Sequence, residues 1–177
     1  LVVSGGNFYG MTSFGGTNDF GTIFVYNPVT STQTIIHSFN DTDGSNPYGS
    51  LKVSGQSLYG LTSSGGVFSS GVLFEYNLVS ASINVLYNFD GGIPRGSLLA
   101  YNGKFYGMTL GGGDNFLGSI FEYNPTMNTY ADIFSFDGDT YGSYPFGSLI
   151  ESGGKLYGMT NDGGENFKGV LFEYVLS

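Results

Sequence analysis

Two pairs of aspartates, each pair two residues apart, lie in loop-like stretches of the sequence. Asp41 and Asp43 stand in Asp-Thr-Asp-Gly, and Asp137 and Asp139 stand in Asp-Gly-Asp. Carboxylate oxygens in this pattern are ligands that a hard cation such as Ca²⁺ prefers. Neither stretch continues to the further oxygens and closing Glu of an EF-hand loop, and Asp-Gly is also an ordinary turn pair. We therefore expect no cofactor, with Ca²⁺ at these four aspartates as the alternative.

Other residues that could carry catalysis are few. The chain has no cysteine, which excludes thiol chemistry and thiolate metal sites. Its one histidine, His37, supports neither a histidine-based metal site nor, alone, a catalytic triad. The equivalent positions in later repeats are Tyr87 and Phe134, which predicts a packing role for His37. The sequence predicts no catalytic residue.

Phenylalanines stand in long, glycine-rich stretches between apolar runs. Loops on a rigid scaffold often carry binding residues, and exposed aromatic rings can stack on sugars or pack against a protein partner. The phenylalanines that we predict to form a ligand-binding surface are Phe14, Phe20, Phe68, Phe116 and Phe167.

Charge limits the kinds of partner. The chain of 177 residues has 14 acidic and 5 basic residues and a formal net charge of −9. Binding to nucleic acid needs a basic surface that neutralises phosphates, so we expect no nucleic-acid partner. No apolar run reaches the length of a membrane span, which predicts no membrane insertion. The partner expected is a protein or a glycan.

The sequence repeats itself about every 50 residues, a period typical of repeat architectures. One phrase, Phe/Leu-Tyr-Gly-Met/Leu-Thr, occurs at residues 8–12, 58–62, 105–109 and 156–160. A second, Gly-x-Ile/Leu-Phe-x-Tyr, follows at residues 21–26, 71–76, 118–123 and 169–174. Each full repeat contains four short β-like runs, a to d, with glycine-rich hairpin signals between runs a and b. No apolar period of 3.6 residues persists, so no helix is predicted.

Four short antiparallel strands in a repeat of this length are the pattern of a β-propeller blade. The fold class expected is all-β: a single β-propeller over residues 1–177, built of four-stranded antiparallel blades. The blades are expected at residues 1–48, 49–95, 96–146 and 147–177. The last lacks its outer strand, which makes about fifteen strands, or about 3.75 blades. A β-sandwich is the alternative, but it would not need each strand to recur in step.

The last repeat of the sequence is incomplete. Leu1 aligns with Leu51 at the start of a run a, and the last run, residues 169–174, is a run c. An unpaired strand edge invites pairing with another chain. Three interpretations stay open: part of a longer chain, a homo-oligomer in which a second copy completes a larger ring, or a four-bladed ring whose last blade has three strands.

Residue types within the repeat indicate which positions pack. Glycines in the middle of run b signal close approach of a neighbour, so we expect them to make room while the Tyr and Met beside them pack between blades. The aromatic residues of run c are also expected between blades. Glutamates recur in run c at Glu75, Glu122 and Glu173, and we interpret them as residues of a solvated strand rather than a catalytic pair.

Loop lengths predict where a ligand binds. Strand direction alternates along a blade, so the b–c and d–a loops emerge on the same face. Both sets are long, whereas the a–b turns are minimal. Because long loops on a rigid scaffold usually carry binding, this long-loop face is predicted to be the binding face.

The phrases resemble those of the GloVer-type tandem repeat, found in multi-copy bacterial proteins. The shared elements are Tyr-Gly-x-Thr with a following Gly-Gly, Gly-x-Ile/Leu-Phe, and Ser-Phe-Asp-Gly with a following Pro-x-Gly-Ser-Leu, and they cover the whole chain. The resemblance implies a secreted or surface-exposed bacterial propeller, located outside the cell or at the cell surface. It brings no catalytic residues with it.

Three classes of function are compatible with these features. The first is a non-enzymatic extracellular binding or adhesion module that uses the long-loop face. The second is a structural building block of a cell-surface assembly or filament, joined through open blade edges. The third is a propeller hydrolase or lyase that acts on polysaccharide, because acids of different loops could meet at one bond.

Overall fold

The computed structural model describes residues 1–176, which fall into two compact units, Leu1–Phe89 and Asp90–Ser177. All regular secondary structure in the described residues is β-strand, so the all-β prediction is confirmed. None of these residues belongs to a helix long and apolar enough to cross a membrane.

The first unit contains two four-stranded antiparallel sheets, each with its strands in sequence order. Sheet 1 consists of β1 (Val2–Ser4), β2 (Asn7–Thr12), β3 (Thr22–Asn27) and β4 (Thr32–Ser38). Sheet 2 consists of β5 (Ser45–Ser54), β6 (Ser57–Ser64), β7 (Val72–Asn77) and β8 (Ser82–Asn88).

The second unit also contains two antiparallel sheets. Sheet 3 consists of β9 (Leu99–Tyr101), β10 (Lys104–Thr109), β11 (Ser119–Asn124) and β12 (Thr129–Ser135). Sheet 4 consists of β13 (Ser143–Pro145), β14 (Ile150–Ser152), β15 (Lys155–Asp162) and β16 (Leu171–Val175). In sheet 4, β15 lies between β14 and β16 and pairs with β13 as well. Among residues 1–176, no strand pairs with the outer edge of β16.

The number of strands differs from the prediction. Residues 1–176 form sixteen strands rather than fifteen, because part of a predicted d–a loop is a strand. β13 pairs with the end of β15, and the first residues of β5 pair in the same way with the end of β6. These segments give partners to backbone groups that would otherwise stay unpaired at the ends of β6 and β15. Strand pairing in sheets 2 and 4 thus begins before residues 48 and 146, the ends expected for the preceding blades.

Asparagine fixes the turn between the last two strands of sheets 1 to 3. Oδ1 of Asn27 accepts hydrogen bonds from the backbone N–H groups of Val29 and Thr30, at 2.9 and 3.2 Å. Asn77 and Asn124 form the same turn. An Asx turn of this kind replaces backbone pairing at a chain reversal, which explains the Asn that follows the second repeated phrase in these three copies.

The core of each unit lies between its two sheets. In the first unit, Ile23 of sheet 1, with Tyr9 and Met11, packs against a surface of sheet 2 that includes Phe74 and Tyr76. In the second unit, the equivalent side chains of sheet 3 pack against the equivalent surface of sheet 4. We call the first kind of surface the methionine face and the second the phenylalanine face. Within each unit, a methionine face is therefore covered by the phenylalanine face of the next sheet.

The glycine of the first phrase faces the phenylalanine of the second. Gly60 lies opposite Phe74 in the ladder between β6 and β7, and a Cβ added to Gly60 would lie 2.5 Å from Cζ of Phe74. The same pairing recurs in the other sheets, between Gly10 and Phe24, Gly107 and Phe121, and Gly158 and Phe172. The glycine thus makes room, as predicted, and a ring of its own sheet fills the space.

Candidate functional site

The b–c loops, which join the second and third strand positions of each sheet, share one bonding pattern. In every copy the glycine at the end of the loop donates its N–H to the carbonyl of the first glycine of the Gly-Gly pair. These bonds join Gly21 to Gly15 (3.0 Å), Gly71 to Gly65 (3.0 Å), Gly118 to Gly112 (3.1 Å) and Gly169 to Gly163 (3.1 Å). The repeated glycines therefore close a loop of constant shape.

Polar side chains attach these loops to the strands beside them. Nδ2 of Asn115 donates to the carbonyl of Phe136 at 2.9 Å, and Nδ2 of Asn18 donates to the carbonyl of Phe39 at 3.3 Å. In sheet 2, where the position holds Phe68, the N–H of the neighbouring Val67 donates to Oδ1 of Asn88 at 2.8 Å, and the equivalent N–H in sheet 3, that of Asp114, donates to Oγ of Ser135 at 3.1 Å. The loops of sheets 1 to 3 are anchored in this way, so they present their other side chains in defined positions.

The d–a connections brace the loops further. The backbone N–H of Asn46 donates to the carbonyl of Phe20 at 2.8 Å, and that of Tyr144 donates to the carbonyl of Leu117 at 2.8 Å. Ser13 Oγ donates to the carbonyl of Pro47 at 2.9 Å. Within each unit, the connection into the second sheet is thus hydrogen-bonded to the b–c loop of the first. The sequence signal for this contact is the recurring Ser-x-Pro of residues 45–47 and 143–145.

Two predicted ligand-binding residues, Phe116 and Phe167, occupy the same position in the b–c loops of sheets 3 and 4. Their side chains are 79% and 75% exposed. Their φ angles are +58° and +52°, in the left-handed region. The equivalent residues of sheets 1 and 2 are Asp19 and Ser69, with φ of +61° and +55°. The loop geometry therefore requires a left-handed residue in all four copies, and two copies place a phenylalanine there.

A phenylalanine in this conformation is costly. The left-handed region costs an L-residue roughly 1–2 kcal/mol, and Asn or Asp enter it far more readily than bulky residues do. An exposed ring recovers little of this through burial. Strained residues of this kind cluster at functional sites, where the surrounding structure holds them in place. Phe116 and Phe167 are therefore the first candidates for a functional role.

The other predicted phenylalanines lie in different settings. Phe14 and Phe68 are exposed, by 69% and 52%, but at loop positions different from that of Phe116. Phe20 is half-buried and packs against the core of the first unit, so it offers a ligand only part of its ring. The sequence places all five in b–c loops and does not separate the exposed rings from the packed one.

Negative charge accompanies the two strained rings. An exposed carboxylate stands two residues before each ring, Asp114 before Phe116 and Glu165 before Phe167. The exposed Lys168 follows Phe167 and is the one basic side chain of these two loops. The loops present an apolar surface bordered mainly by acid.

The aspartates predicted as Ca²⁺ ligands make local bonds. Oδ1 of Asp43 accepts from the N–H of Asn40 at 2.9 Å, and Oδ1 of Asp137 accepts from the N–H of Tyr141 at 2.9 Å. Asp41 accepts from Ser45 Oγ at 3.3 Å, and Asp139 is exposed. No group of three or more His, Cys, Asp or Glu side chains that could hold a metal ion occurs within residues 1–176. Ca²⁺ binding stays a prediction for titration.

His37 is a packed residue that faces an acid. Its ring meets Phe39 edge to face, with centroids 5.0 Å apart, and lies 6.1 Å from the ring of Tyr76. Its buried Nε2 lies 3.1 Å from Oδ2 of Asp43, without the alignment of a hydrogen bond. The packing role expected from the sequence therefore holds, and the close carboxylate is a feature that the sequence did not predict.

The recurring glutamates hold the tyrosines of the first phrase. Glu122 accepts hydrogen bonds from Tyr106 Oη and Lys104 Nζ, both at 2.8 Å. Burial, together with the hydrogen bond to Glu122, raises the pKa of Tyr106 well above its ordinary value. In sheet 2, Glu75 accepts from Ser57 and Tyr59 at 2.6 and 3.2 Å.

Sheet 4 repeats this arrangement at an exposed site. Glu173 accepts from Lys155 Nζ at 2.7 Å and from Tyr157 Oη at 2.9 Å. These hydrogen bonds hold the pKa of Glu173 below its ordinary value, and the bond to Glu173 raises the pKa of Lys155. The glutamates thus accept hydrogen bonds from side chains of the neighbouring strand and are not free solvated residues. The missed signal was that Tyr and Glu stand opposite one another in the ladder of sheets 2 to 4.

Comparison with known proteins gives a family and a fold. A family model described as the Gloeobacter/Verrucomicrobia repeat matches residues 1–177. No curated protein matches the chain.

Among solved structures, TolB from Acinetobacter baumannii is 16% identical with a TM-score of 0.58, over 88% of this chain and 35% of that chain. A nidogen/laminin complex is 16% identical with a TM-score of 0.61, over 88% of this chain and 52% of that chain. The xyloglucan PUL GH43B of Bacteroides ovatus is 16% identical with a TM-score of 0.51, over 97% and 36%.

This chain therefore spans between about a third and about half of each of those chains. The TolB and nidogen structures are β-propellers. At such low identity the likeness shows the fold alone: a β-propeller-like array of antiparallel sheets.

Proposed function

We propose that this chain, which belongs to the Gloeobacter/Verrucomicrobia repeat family and has a β-propeller-like repeat fold, is a non-enzymatic binding or adhesion module. It acts outside the cell or at its surface, as expected for the tandem repeat that the sequence resembles. Its sheets belong to a propeller ring, and its ligand contacts the b–c loops.

The observation that carries this proposal is the strained, exposed pair Phe116 and Phe167. Each ring stands largely in solvent at a left-handed position, where Asp or Ser serves in the first unit. A ring at this place costs folding free energy and gains little from burial within the chain. Contact with a partner would offset this cost, because the partner would bury the exposed apolar surface of the ring.

The chemistry of the loops favours a protein partner over a glycan. An apolar ring beside a carboxylate suits a protein surface that has an apolar contact next to Lys or Arg. A structure with a similar fold is a nidogen/laminin complex, which supports protein binding in general terms. A glycan that stacks on the rings is the alternative, since aromatic faces also pack on sugars.

The experiment compares the wild-type chain with a double variant, Phe116→Asn with Phe167→Asn, on a displayed random-peptide library and on a glycan array. Asn keeps the left-handed conformation at low cost and removes the ring. The control is Met127→Asn, which changes an exposed apolar residue in the turn at the opposite end of sheet 3. All three proteins are first shown to have cooperative thermal unfolding.

The proposal expects the wild type and the Met127→Asn control to select peptides with an apolar residue beside Lys or Arg, and the double variant to lose them. The double variant should also unfold at a temperature equal to or above that of the wild type, because strain is released. Glycan hits lost in the double variant would move the ligand to the glycan class. Selection unchanged by the double variant would refute the role of these loops.

A further inference from the structure

The methionine face of sheet 4 is uncovered. Met159 and Leu171 are 62% and 74% exposed, whereas their equivalents in sheet 3, Met108 and Ile120, are 3% and 0% exposed. Both sheets have a methionine and a branched aliphatic residue at these positions, so residue type does not explain the difference in exposure. The difference lies in the packing, because the methionine face of sheet 3 is covered by sheet 4.

The uncovered face contains a shallow apolar pocket of about 220 Å³. Its walls include Phe146, Ile150, Met159 and Leu171, and the three aliphatic side chains and the ring are all exposed. An exposed apolar surface with a pocket is a common mark of a protein interaction site. The pocket can accept a side chain that projects from an apposed sheet.

The opposite kind of face is uncovered in sheet 1. Leu1 is 74% exposed, whereas its equivalents Leu51 and Leu149 are 2% and 4% exposed. The aromatic residues of this phenylalanine face, Phe8 and Phe24, are half-buried, while the equivalent rings and leucines of later sheets are buried. The chain therefore exposes one surface of each complementary type.

Both units show how these two types fit together. In the second unit, Tyr106, Met108 and Ile120 of the methionine face pack against Leu156 and Phe172 of the next phenylalanine face. In the first unit the same positions meet in the same way. A tyrosine completes each contact: Tyr76 Oη donates to the carbonyl of Ile36 at 3.0 Å, and Tyr174 Oη to that of Ile133 at 3.1 Å.

Charge does not oppose a further contact of this kind. Lys155 and Glu173 form an ion pair at 2.7 Å beside the uncovered face of sheet 4. The equivalent pair beside the covered face of sheet 3, Lys104 and Glu122, lies at 2.8 Å. The rim of the uncovered face thus has the same neutralised pair as a face that a neighbouring sheet already covers.

We infer that the methionine face of sheet 4 is a docking surface for a second copy of this chain, which covers it with the phenylalanine face of its own sheet 1. The contact continues the packing between successive sheets across two molecules. It is heterologous, so repetition of the same contact gives a closed ring or an open filament. This assembly goes beyond ligand binding by the b–c loops and uses different residues.

The test measures mass in solution by sedimentation or by light scattering, over a wide range of protein concentration. The tail variant is Leu171→Glu, on the face of sheet 4, and the head variant is Leu1→Glu, on the face of sheet 1. Both residues are largely exposed, so neither change disturbs a core. Val29→Glu, at an exposed residue in the β3–β4 turn, is the matched control for an added charge.

The inference expects the wild type and the Val29→Glu control to form assemblies with masses at multiples of 18.8 kDa, and each of the other variants alone to be monomeric. An equimolar mixture of the tail and head variants should form a one-to-one dimer, because the intact head of one then meets the intact tail of the other. A wild type that stays monomeric at every concentration overturns the inference. Variants that assemble like the wild type, or a mixture that stays monomeric, also overturn it.

Discussion

Replacing Gly60 with alanine should destabilise the first unit. The added Cβ would lie 2.5 Å from Cζ of Phe74 and 3.0 Å from Cδ2 of Leu51, inside normal van der Waals separation. Both neighbours are buried, so neither can move into solvent. Overpacking of a core costs about 1–3 kcal/mol, and the reduced freedom of the unfolded chain returns about 0.4–1 kcal/mol. The expected net loss is about 1–2 kcal/mol.

The chain contains a matched control for this change. A Cβ at Gly10 would lie 2.6 Å from both Phe24 Cζ and Leu1 Cδ2. Leu1 is largely exposed and Phe24 is only half-buried, so both can move away in a dilute, monomeric sample. Gly10→Ala should therefore cost clearly less than Gly60→Ala, although the repeat position is the same.

The assay is thermal and urea unfolding of Gly60→Ala, Gly10→Ala, Phe74→Leu and the double variant Gly60→Ala with Phe74→Leu. For a chain of this size a loss of about 1–2 kcal/mol lowers Tm by roughly 2–8 °C. The smaller Leu vacates the space that the new methyl group needs, so the double variant should lose less than the sum of the single losses. Equal Tm values for Gly60→Ala and the wild type, or strictly additive losses, would refute this account of the glycine.

Two further predictions concern pH and metal. The raised pKa of Tyr106 means that the folded state favours the protonated phenol, so this stabilisation is complete below the ordinary pKa of about 10 and is lost as the pH rises above it. With Tyr106→Phe, the free energy of unfolding should therefore fall less steeply at alkaline pH than with the exposed control Tyr141→Phe. Identical slopes for the two variants would contradict this. Titration with Ca²⁺ should leave Tm unchanged if Asp41, Asp43, Asp137 and Asp139 act only as turn residues; a saturable rise that is lost in Asp41→Asn would establish the Ca²⁺ alternative instead.

Much of the architecture was predictable because it depends on local residue patterns. The strands follow from short apolar runs, and the turns follow from Gly and Asn, whose conformations are set within a few residues. Because the sequence repeats, the same pattern of strands and turns occurs several times, and each copy supports the prediction made from the others. The family resemblance is confirmed by the match over residues 1–177.

The candidate site was predictable only in part. The five phenylalanines were placed in b–c loops from sequence spacing, and Phe116 and Phe20 differ in their distance from the closing glycine. The sequence alone does not tell which of these two loop positions is left-handed and which is packed. That difference depends on the φ angle that the anchored loop imposes and on whether a core lies under the ring. The pairing of Tyr106 with Glu122 likewise required the strand register.

The sequence by itself determined the repeating β architecture, the positions of most strands and turns, and the place of a glycine in the middle of the second strand position of every copy. These properties depend on contacts within one repeat, which every copy encodes again. Only the tertiary structure decided which copies of a repeated position are covered. Met108 and Met159 occupy equivalent places, yet one is buried and the other exposed, because burial depends on a neighbouring sheet that a residue's own repeat does not encode.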